Sequence, residues 1–138
     1  MKENIYLNGK KHGKGKIYDN YDKIKYEGEF LEGKMHGKGI EYNTYNDTKY
    51  VGEFSKGKKS GKGKEYSFSY NSYYNENNNE ENNLIFEGEY LNNCRVRGKE
   101  YYKNGKLKYE GEYLFKDKLN GKFYDYDGNI AYELNITI

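Results

Sequence analysis

One phrase is written twice in this chain: YEGEFLEGKMHGKGIEY from Tyr26 to Tyr42 and YVGEFSKGKKSGKGKEY from Tyr50 to Tyr66, the second starting 24 residues after the first. A fixed period of that length marks an array of supersecondary units, each too small to bury a face alone, and it outranks any reading from composition. Within the phrase, YEGEF and GKGIEY alternate side-chain character with period two around a Gly-containing stretch, which predicts strand, turn and strand. Helix is disfavoured because both copies carry two Gly two residues apart, each costing about 1 kcal/mol in a helix interior.

Placing Gly28 opposite Gly39 sets Tyr26 against Glu41, Glu29 against Lys38 and Phe30 against Gly37, and in the next copy Phe54 against Gly61 and Glu53 against Lys62. A ring lying over a cross-strand Gly recovers contact area that Gly itself lacks. The Glu to Lys pairs on the other face add about 0.2–1 kcal/mol each. In this register Tyr26, Phe30, Tyr50, Phe54, Phe86, Tyr90, Tyr109 and Tyr113 project to one face, two per hairpin. Too few aliphatic residues remain for a thick second layer to cover them, and an open aromatic patch of that length exceeds what monomers usually carry. Some rings are expected over Gly37, Gly39, Gly61 and Gly63. The rest are expected to leave a groove for an extended peptide, an amphipathic helix or a second ribbon, a surface to which Tyr is suited.

Read in order, the hairpins fall at about 2–18, 26–42, 50–66, 86–101 and 109–124, with a closing strand at about 130–137. The first is a worn copy, as terminal repeats often are. The last two are one residue shorter from opener to closing Tyr, which places a deletion in the hairpin tip, and each keeps one Gly of the pair, Gly98 and Gly121. In the closing strand Leu134 and Ile136 stand where Gly and an aromatic are expected. The period is broken only by SFSYNSYYNENNNEENN, residues 67–83, an Asn/Glu-rich insert too polar to order itself. It reads as a loop, or as a docking segment led by Tyr70, Tyr73 and Tyr74.

The residues alone therefore predict an all-β chain of five hairpins and a closing strand, without a thick two-layer core and with Tyr doing the packing. The chain has 19 Tyr and 6 Phe but a net charge of only +2, which argues against disorder. With no Pro, its turns rest on Gly, Asn and Asp. The single Cys94 forms no internal disulfide, the start MKENIYL has no apolar core of a signal peptide, and Leu84–Phe86 is the longest apolar run. The expectation is a cytoplasmic protein with no membrane span.

Little chemistry breaks the repeat. His12 and His36 occupy one repeat position 24 residues apart, but no third ligand recurs with them, so no metal is expected. Cys94 has Arg95 beside it and no His or Asn partner for nucleophilic work. Carboxylate pairs such as Glu27 with Glu29 recur, whereas a catalytic dyad appears once. HGKGK and SGKGK lie in strands and open no helix, so they are not phosphate loops. The basic clusters weigh more: residues 1–66 carry 15 Lys against 10 acidic residues, and residues 67–138 carry 9 basic against 12 acidic. That asymmetry favours an anionic lipid surface met by Lys10, Lys11, Lys56, Lys58 and Lys59, or self-pairing of unlike ends; a solvated face is the plain alternative. Every Lys stripe has a Glu stripe beside it, so nucleic acid is not expected.

The motif Tyr-x-Gly-Glu-Phe/Tyr, then Gly, then Gly-x-Gly at 23 to 24 residue spacing resembles the MORN repeat, the membrane occupation and recognition nexus. The likeness covers nearly all the chain outside the insert. Val96 and Asn120 depart from it at the first Gly of the pair, as do Asn93 and Lys116 at the tip Gly and the whole N-terminal opener. YYKNGKLKYEGEY also resembles a shorter bacterial variant of the repeat. The resemblance implies an elongated, single-layer antiparallel meander, a gutter-like ribbon of stacked hairpins about 50 Å long for eleven strands. It also implies accessory or scaffolding work at membranes and cytoskeletal structures, since the repeat accompanies lipid kinases, a lysine methyltransferase, and junctional, ciliary and protist cytoskeletal proteins. The expectation is a non-catalytic scaffold without cofactor or small-molecule substrate, binding a protein or a second copy through the aromatic groove; the alternative is a peripheral module for phosphoinositide or other anionic lipid.

Overall fold

A computed structural model of the chain describes residues 5–7, 9–68 and 83–136, so Tyr70, Tyr73 and Tyr74 lie outside the described residues. Eleven strands form one antiparallel sheet in strict chain order: β1 (Ile5–Leu7), β2 (Lys10–Tyr18), β3 (Ile24–Leu31), β4 (Lys34–Asn43), β5 (Thr48–Ser55), β6 (Lys58–Ser67), β7 (Asn83–Leu91), β8 (Cys94–Tyr101), β9 (Leu107–Leu114), β10 (Asp117–Tyr124) and β11 (Ile130–Leu134). No helix occurs among the described residues. A meander puts the β3–β4, β5–β6, β7–β8 and β9–β10 tips on one long edge and the intervening turns on the other.

The register is keyed by glycine. Gly15, Gly28, Gly39, Gly52, Gly63, Gly88, Gly98, Gly111 and Gly121 face one another strand by strand from β2 to β10, and the row ends on Leu134. The openers Tyr26, Tyr50, Phe86 and Tyr109 share that face. A Cβ on Gly39 would stand 2.5 Å from Cε2 of Tyr26, so the ring lies flat on the glycine. The Tyr26, Tyr50 and Tyr109 hydroxyls each donate 2.8 Å to a backbone carbonyl three residues on, those of Glu29, Glu53 and Glu112, and this holds the rings down.

Two expectations about register need correction. Phe30 pairs with Met35 and Phe54 with Lys59, not with Gly37 and Gly61. The cause is a bulge: between Gly28↔Gly39 and Phe30↔Met35, Glu29 alone opposes His36, Gly37 and Lys38. Gly37 takes a φ of 67°, open to glycine at little cost, and the Glu29 carboxylate accepts the Lys38 amide at 2.5 Å, with Glu53 doing the same for Lys62. Those bulge glycines instead lie opposite the next hairpin's ring, Gly13↔Phe30, Gly37↔Phe54 and Gly61↔Tyr90. The one-residue deletion of the later hairpins is likewise not in the tip. Leu31↔Lys34, Ser55↔Lys58, Leu91↔Cys94 and Leu114↔Asp117 all enclose two-residue tips. What is shortened is the bulge, and Val96 and Asn120 replace the first Gly because neither position has a positive φ.

At the β3–β4, β5–β6 and β7–β8 tips both central residues take a positive φ, as at Glu32 (52°) and Gly33 (80°), the twist that matches flanking strands, while at the β9–β10 tip Phe115 (56°) does so and Lys116 does not. Successive tips are tied together by Gly57 N–H to the Met35 carbonyl, 2.9 Å, and Asn93 N–H to the Lys59 carbonyl, 3.1 Å. On the opposite edge Asp19 Oδ1 accepts the Tyr21 and Lys23 amides, and Asp125 Oδ1 those of Asp127 and Asn129.

Candidate interaction surfaces

The eight rings expected to border an open groove are the core itself. Tyr26, Phe86 and Tyr109 are fully buried and none of the eight exceeds 8% exposure. They interlock edge to face in a single file, Phe30 to Tyr26 (5.2 Å), Tyr26 to Phe54 (5.1 Å), Phe54 to Tyr50 (5.1 Å), Tyr50 to Tyr90 (4.9 Å), Tyr90 to Phe86 (5.6 Å), Phe86 to Tyr113 (5.6 Å) and Tyr113 to Tyr109 (5.4 Å). Each hairpin's opener is thus wedged against the next hairpin's second ring, which closes the groove that the register alone leaves open.

A second layer of charge covers the file. Glu41, Glu65 and Glu100 sit between successive openers on the aromatic face. Each pairs with a cation from the following hairpin: Lys59 at 3.8 Å, Arg95 by a double contact, and Lys118 at 3.0 Å. The cations lie on the openers of their own hairpins, Lys59 5.2 Å from Tyr50, Arg95 4.2 Å from Phe86 and Lys118 5.2 Å from Tyr109. Glu100 collects Lys118, Lys108 (3.6 Å), Arg95 (3.9 Å) and the Tyr113 hydroxyl (3.2 Å). Burial alone would raise its pKa; Lys118 above all, then Lys108 and Arg95, bring it below the usual carboxylate range. Burial, then the charge of Glu29 and Glu41, pushes the Tyr26 phenol up to about 12. The spacing of 18 residues from Glu41 to Lys59 and from Glu100 to Lys118 is the sequence signal for this ladder.

The five lysines expected to meet lipid divide. Lys10, Lys56 and Lys58 are exposed, whereas Lys59 is turned inward onto Tyr50 and Glu41; the Lys11 side chain lies outside the described set. The exposed ones lie on the tip edge with Lys34 and Lys116, and with apolar neighbours that the periodicity did not flag: Leu31, Leu91, Leu114 and Phe115 are 46%, 58%, 46% and 73% exposed. Three of the four occupy one repeat position, the residue before the tip. The opposite edge carries exposed Tyr21, Tyr45 and Tyr126 among Asp19, Asp22, Asp47, Asp125 and Asp127.

On the face away from the rings, the glycine row becomes the floor of a trough. One stretch of ≈ 700 Å³ runs over β2 to β6 and a second of ≈ 820 Å³ over β5 to β9. Its walls are two cross-strand rows in which even strands present Lys or Arg and odd strands Glu, as at Lys64↔Glu87↔Lys99↔Glu110. Lys64 to Glu87 (3.9 Å) is an ion pair along one wall and Arg97 to Glu89 (2.6 Å) one along the other. Among the described residues no group of His, Cys, Asp and Glu is placed to hold a metal, and no helix is long and apolar enough to cross a membrane.

An open ribbon of stacked hairpins, with its aromatic layer self-covered and its polar side chains arranged by repeat, defines a single-layer β-hairpin repeat architecture. The MORN repeat profile matches residues 5–23, 26–44 and 50–72, so the chain carries three matched MORN repeats in that stretch, which supports a MORN repeat protein. These repeats serve generally in protein and membrane interaction and are a non-catalytic family. A search of curated proteins returned no match.

Proposed function

We propose that the chain is a non-catalytic docking scaffold that rests on an anionic membrane surface by its hairpin-tip edge. The observation that carries this reading is the interleaving of exposed Leu31, Leu91, Leu114 and Phe115 with exposed Lys10, Lys34, Lys56, Lys58 and Lys116 along that one edge. Glu32 and Asp117 offset part of the charge. A basic residue near an anionic leaflet contributes about 1 kcal/mol, and a largely inserted Leu or Phe about 1.5–3 kcal/mol, so the apolar term is at least equal to the electrostatic one. The tip-to-tip hydrogen bonds join the β3–β4, β5–β6 and β7–β8 tips into one edge, so neighbouring tips would reach the surface together. The aspartates of the other edge would be held in water, which sets the ribbon on its side.

Co-sedimentation with vesicles of neutral lipid, and of neutral lipid containing phosphatidylserine or a phosphoinositide, tests it. The chain should pellet with the anionic vesicles, weaken with salt, and lose binding both in Lys56→Glu/Lys58→Glu and in Leu91→Ser/Phe115→Ser. Failure to pellet at low salt, or variants that pellet like the parent, would overturn it. A dimer or a protein complex seen by analytical ultracentrifugation without any lipid binding would favour the protein-only scaffold.

A further inference from the structure

The wall of the trough is broken at one place. At the position after the Gly on even strands and before it on odd ones, the cross-strand row runs Lys16↔Glu27, then Ile40↔Val51, then Lys64↔Glu87, Lys99↔Glu110 and Lys122↔Glu133. Four of the five junctions carry a Lys facing a Glu; the β4–β5 junction carries two aliphatic side chains. Both line the trough and both are only half-buried. They are not recruited to the core, which lies on the other face, and they are not needed by the repeat, which uses a charge pair there elsewhere. The paired backbone of Gly39 and Gly52 forms the floor beside them, with the Cβ direction of both glycines turned to the ring face, and Tyr66 lines the adjoining stretch together with Val51.

The neighbours of this apolar step have a fixed polarity. Ile40 is flanked on its N-terminal side by Glu27 and Val51 on its C-terminal side by Lys64. From β3 to β6 is three strand spacings, about 14 Å. A chain laid extended along the trough covers that in about four residues at roughly 3.3 Å each, with its middle residue over the Ile40–Val51 step. We infer that this step is a peptide-binding subsite for an extended segment of a partner protein with the pattern basic, any, large apolar, any, acidic. The basic residue meets Glu27, the apolar one Ile40 and Val51, and the acidic one Lys64. A polyanion or polycation gains nothing here, because each favourable stripe is followed one strand later by an unfavourable one. The surface is separate from the tip edge, so failure of lipid docking and failure of this subsite are distinguishable.

Amide NMR of the whole 138-residue chain, titrated with the peptide Ser-Lys-Ser-Leu-Ser-Glu-Ser, tests the inference. Saturable shifts should appear at the amides of Gly39, Ile40, Val51 and Gly52. Replacing the peptide's Leu by Ser should weaken binding by about tenfold or more, the loss of one buried aliphatic side chain. The all-Lys and all-Glu versions should also weaken. A swapped Glu-x-Leu-x-Lys peptide is no control, since it can lie in the trough in the opposite direction. The double variant Ile40→Lys/Val51→Glu restores the pair that four other junctions already accommodate, so it should fold and show no saturable shift at this step; Lys64→Glu should prefer the all-Lys peptide. Absence of saturable shifts at millimolar peptide, shifts centred elsewhere, or undiminished binding by the folded double variant would overturn the proposal.

Discussion

Gly39→Ala is the sharpest test of how this sheet holds itself together. The added methyl would sit 2.5 Å from Cε2 and 2.6 Å from Cζ of Tyr26, where ordinary carbon contacts lie near 3.5–4.0 Å. The ring would have to retreat by about 1 Å, yet it is fully buried, edge-on to Phe30 and Phe54, and tied by its hydroxyl to the Glu29 carbonyl. Overpacking of this kind costs about 1–3 kcal/mol, and loss of the buried hydroxyl's partner a further ~1–3 kcal/mol. An expected total of about 3 kcal/mol corresponds to roughly 10 °C, since ~2.1 cal/mol/K per residue over 138 residues gives about 0.29 kcal/mol/K. Gly57→Ala is the comparison. It has a φ of +82° and nothing within 4 Å, so only the left-handed backbone is penalised, at about 1–2 kcal/mol. Thermal unfolding followed by near-UV circular dichroism of both variants decides it. Equal losses at the two sites, or a Gly39→Ala melting point within about 3 °C of the parent, would refute the argument that the rings are held by the glycine row.

The Tyr90 hydroxyl is buried beside the Arg95 guanidinium without a hydrogen bond of ordinary geometry, so Tyr90→Phe should raise stability by about 1 kcal/mol in urea unfolding, and a loss of that size would show that Arg95 bonds the hydroxyl. The Glu41 and Lys59 positions are occupied one repeat earlier by Ile17 and Met35, so Glu41→Ile/Lys59→Met should be neutral within about 1 kcal/mol, whereas Glu41→Ile alone should cost about 1–2 kcal/mol by leaving Lys59 unpaired over Tyr50. A phenol whose folded pKa is raised stabilises the fold fully below its unfolded pKa and less as pH climbs through the folded one. With Tyr26 raised from 10.0 to about 12 by burial and by Glu29 and Glu41, stability should be level up to about pH 10 and fall between 10 and 12; unfolding that sets in below pH 10 in an alkaline titration would contradict this.

The glycine spacing made the strand order and the Gly28↔Gly39 register legible, because two small residues at fixed offset in each copy leave few ways to stack hairpins. The bulge was not legible. It depends on Gly37 adopting a positive φ and on Glu29 capping the Lys38 amide, and neither is encoded in side-chain alternation. That local geometry then shifted everything nearer the tip, which is why Lys59 emerges on the aromatic face beside Glu41 and not in the exposed cluster with Lys56 and Lys58. The rings' burial was illegible for a related reason. Period-two alternation assigns a face to Phe54 but says nothing of its reaching across to Tyr26 of the preceding hairpin.

The two faces therefore divide the work. On the aromatic face every repeat grips the one before it: Phe54 on Tyr26, Lys59 on Glu41, then Tyr90 on Tyr50 and Arg95 on Glu65. Contacts of that kind make stability a sum over junctions, and they leave none of the eight core rings open for a partner. The surfaces the packing does not consume are the two edges and the trough, and the binding roles proposed above fall on the tip edge and the trough. At the tips the departure from a purely polar edge is the repeated Leu before the turn; in the trough it is the single exchange of a Lys and Glu for Ile40 and Val51. Both substitutions set half-buried or exposed aliphatic carbon against water where the repeat has a polar solution at hand, as at Ser55 and at Lys64 with Glu87. The fold gains little from either, which is the physical ground for assigning them to recognition.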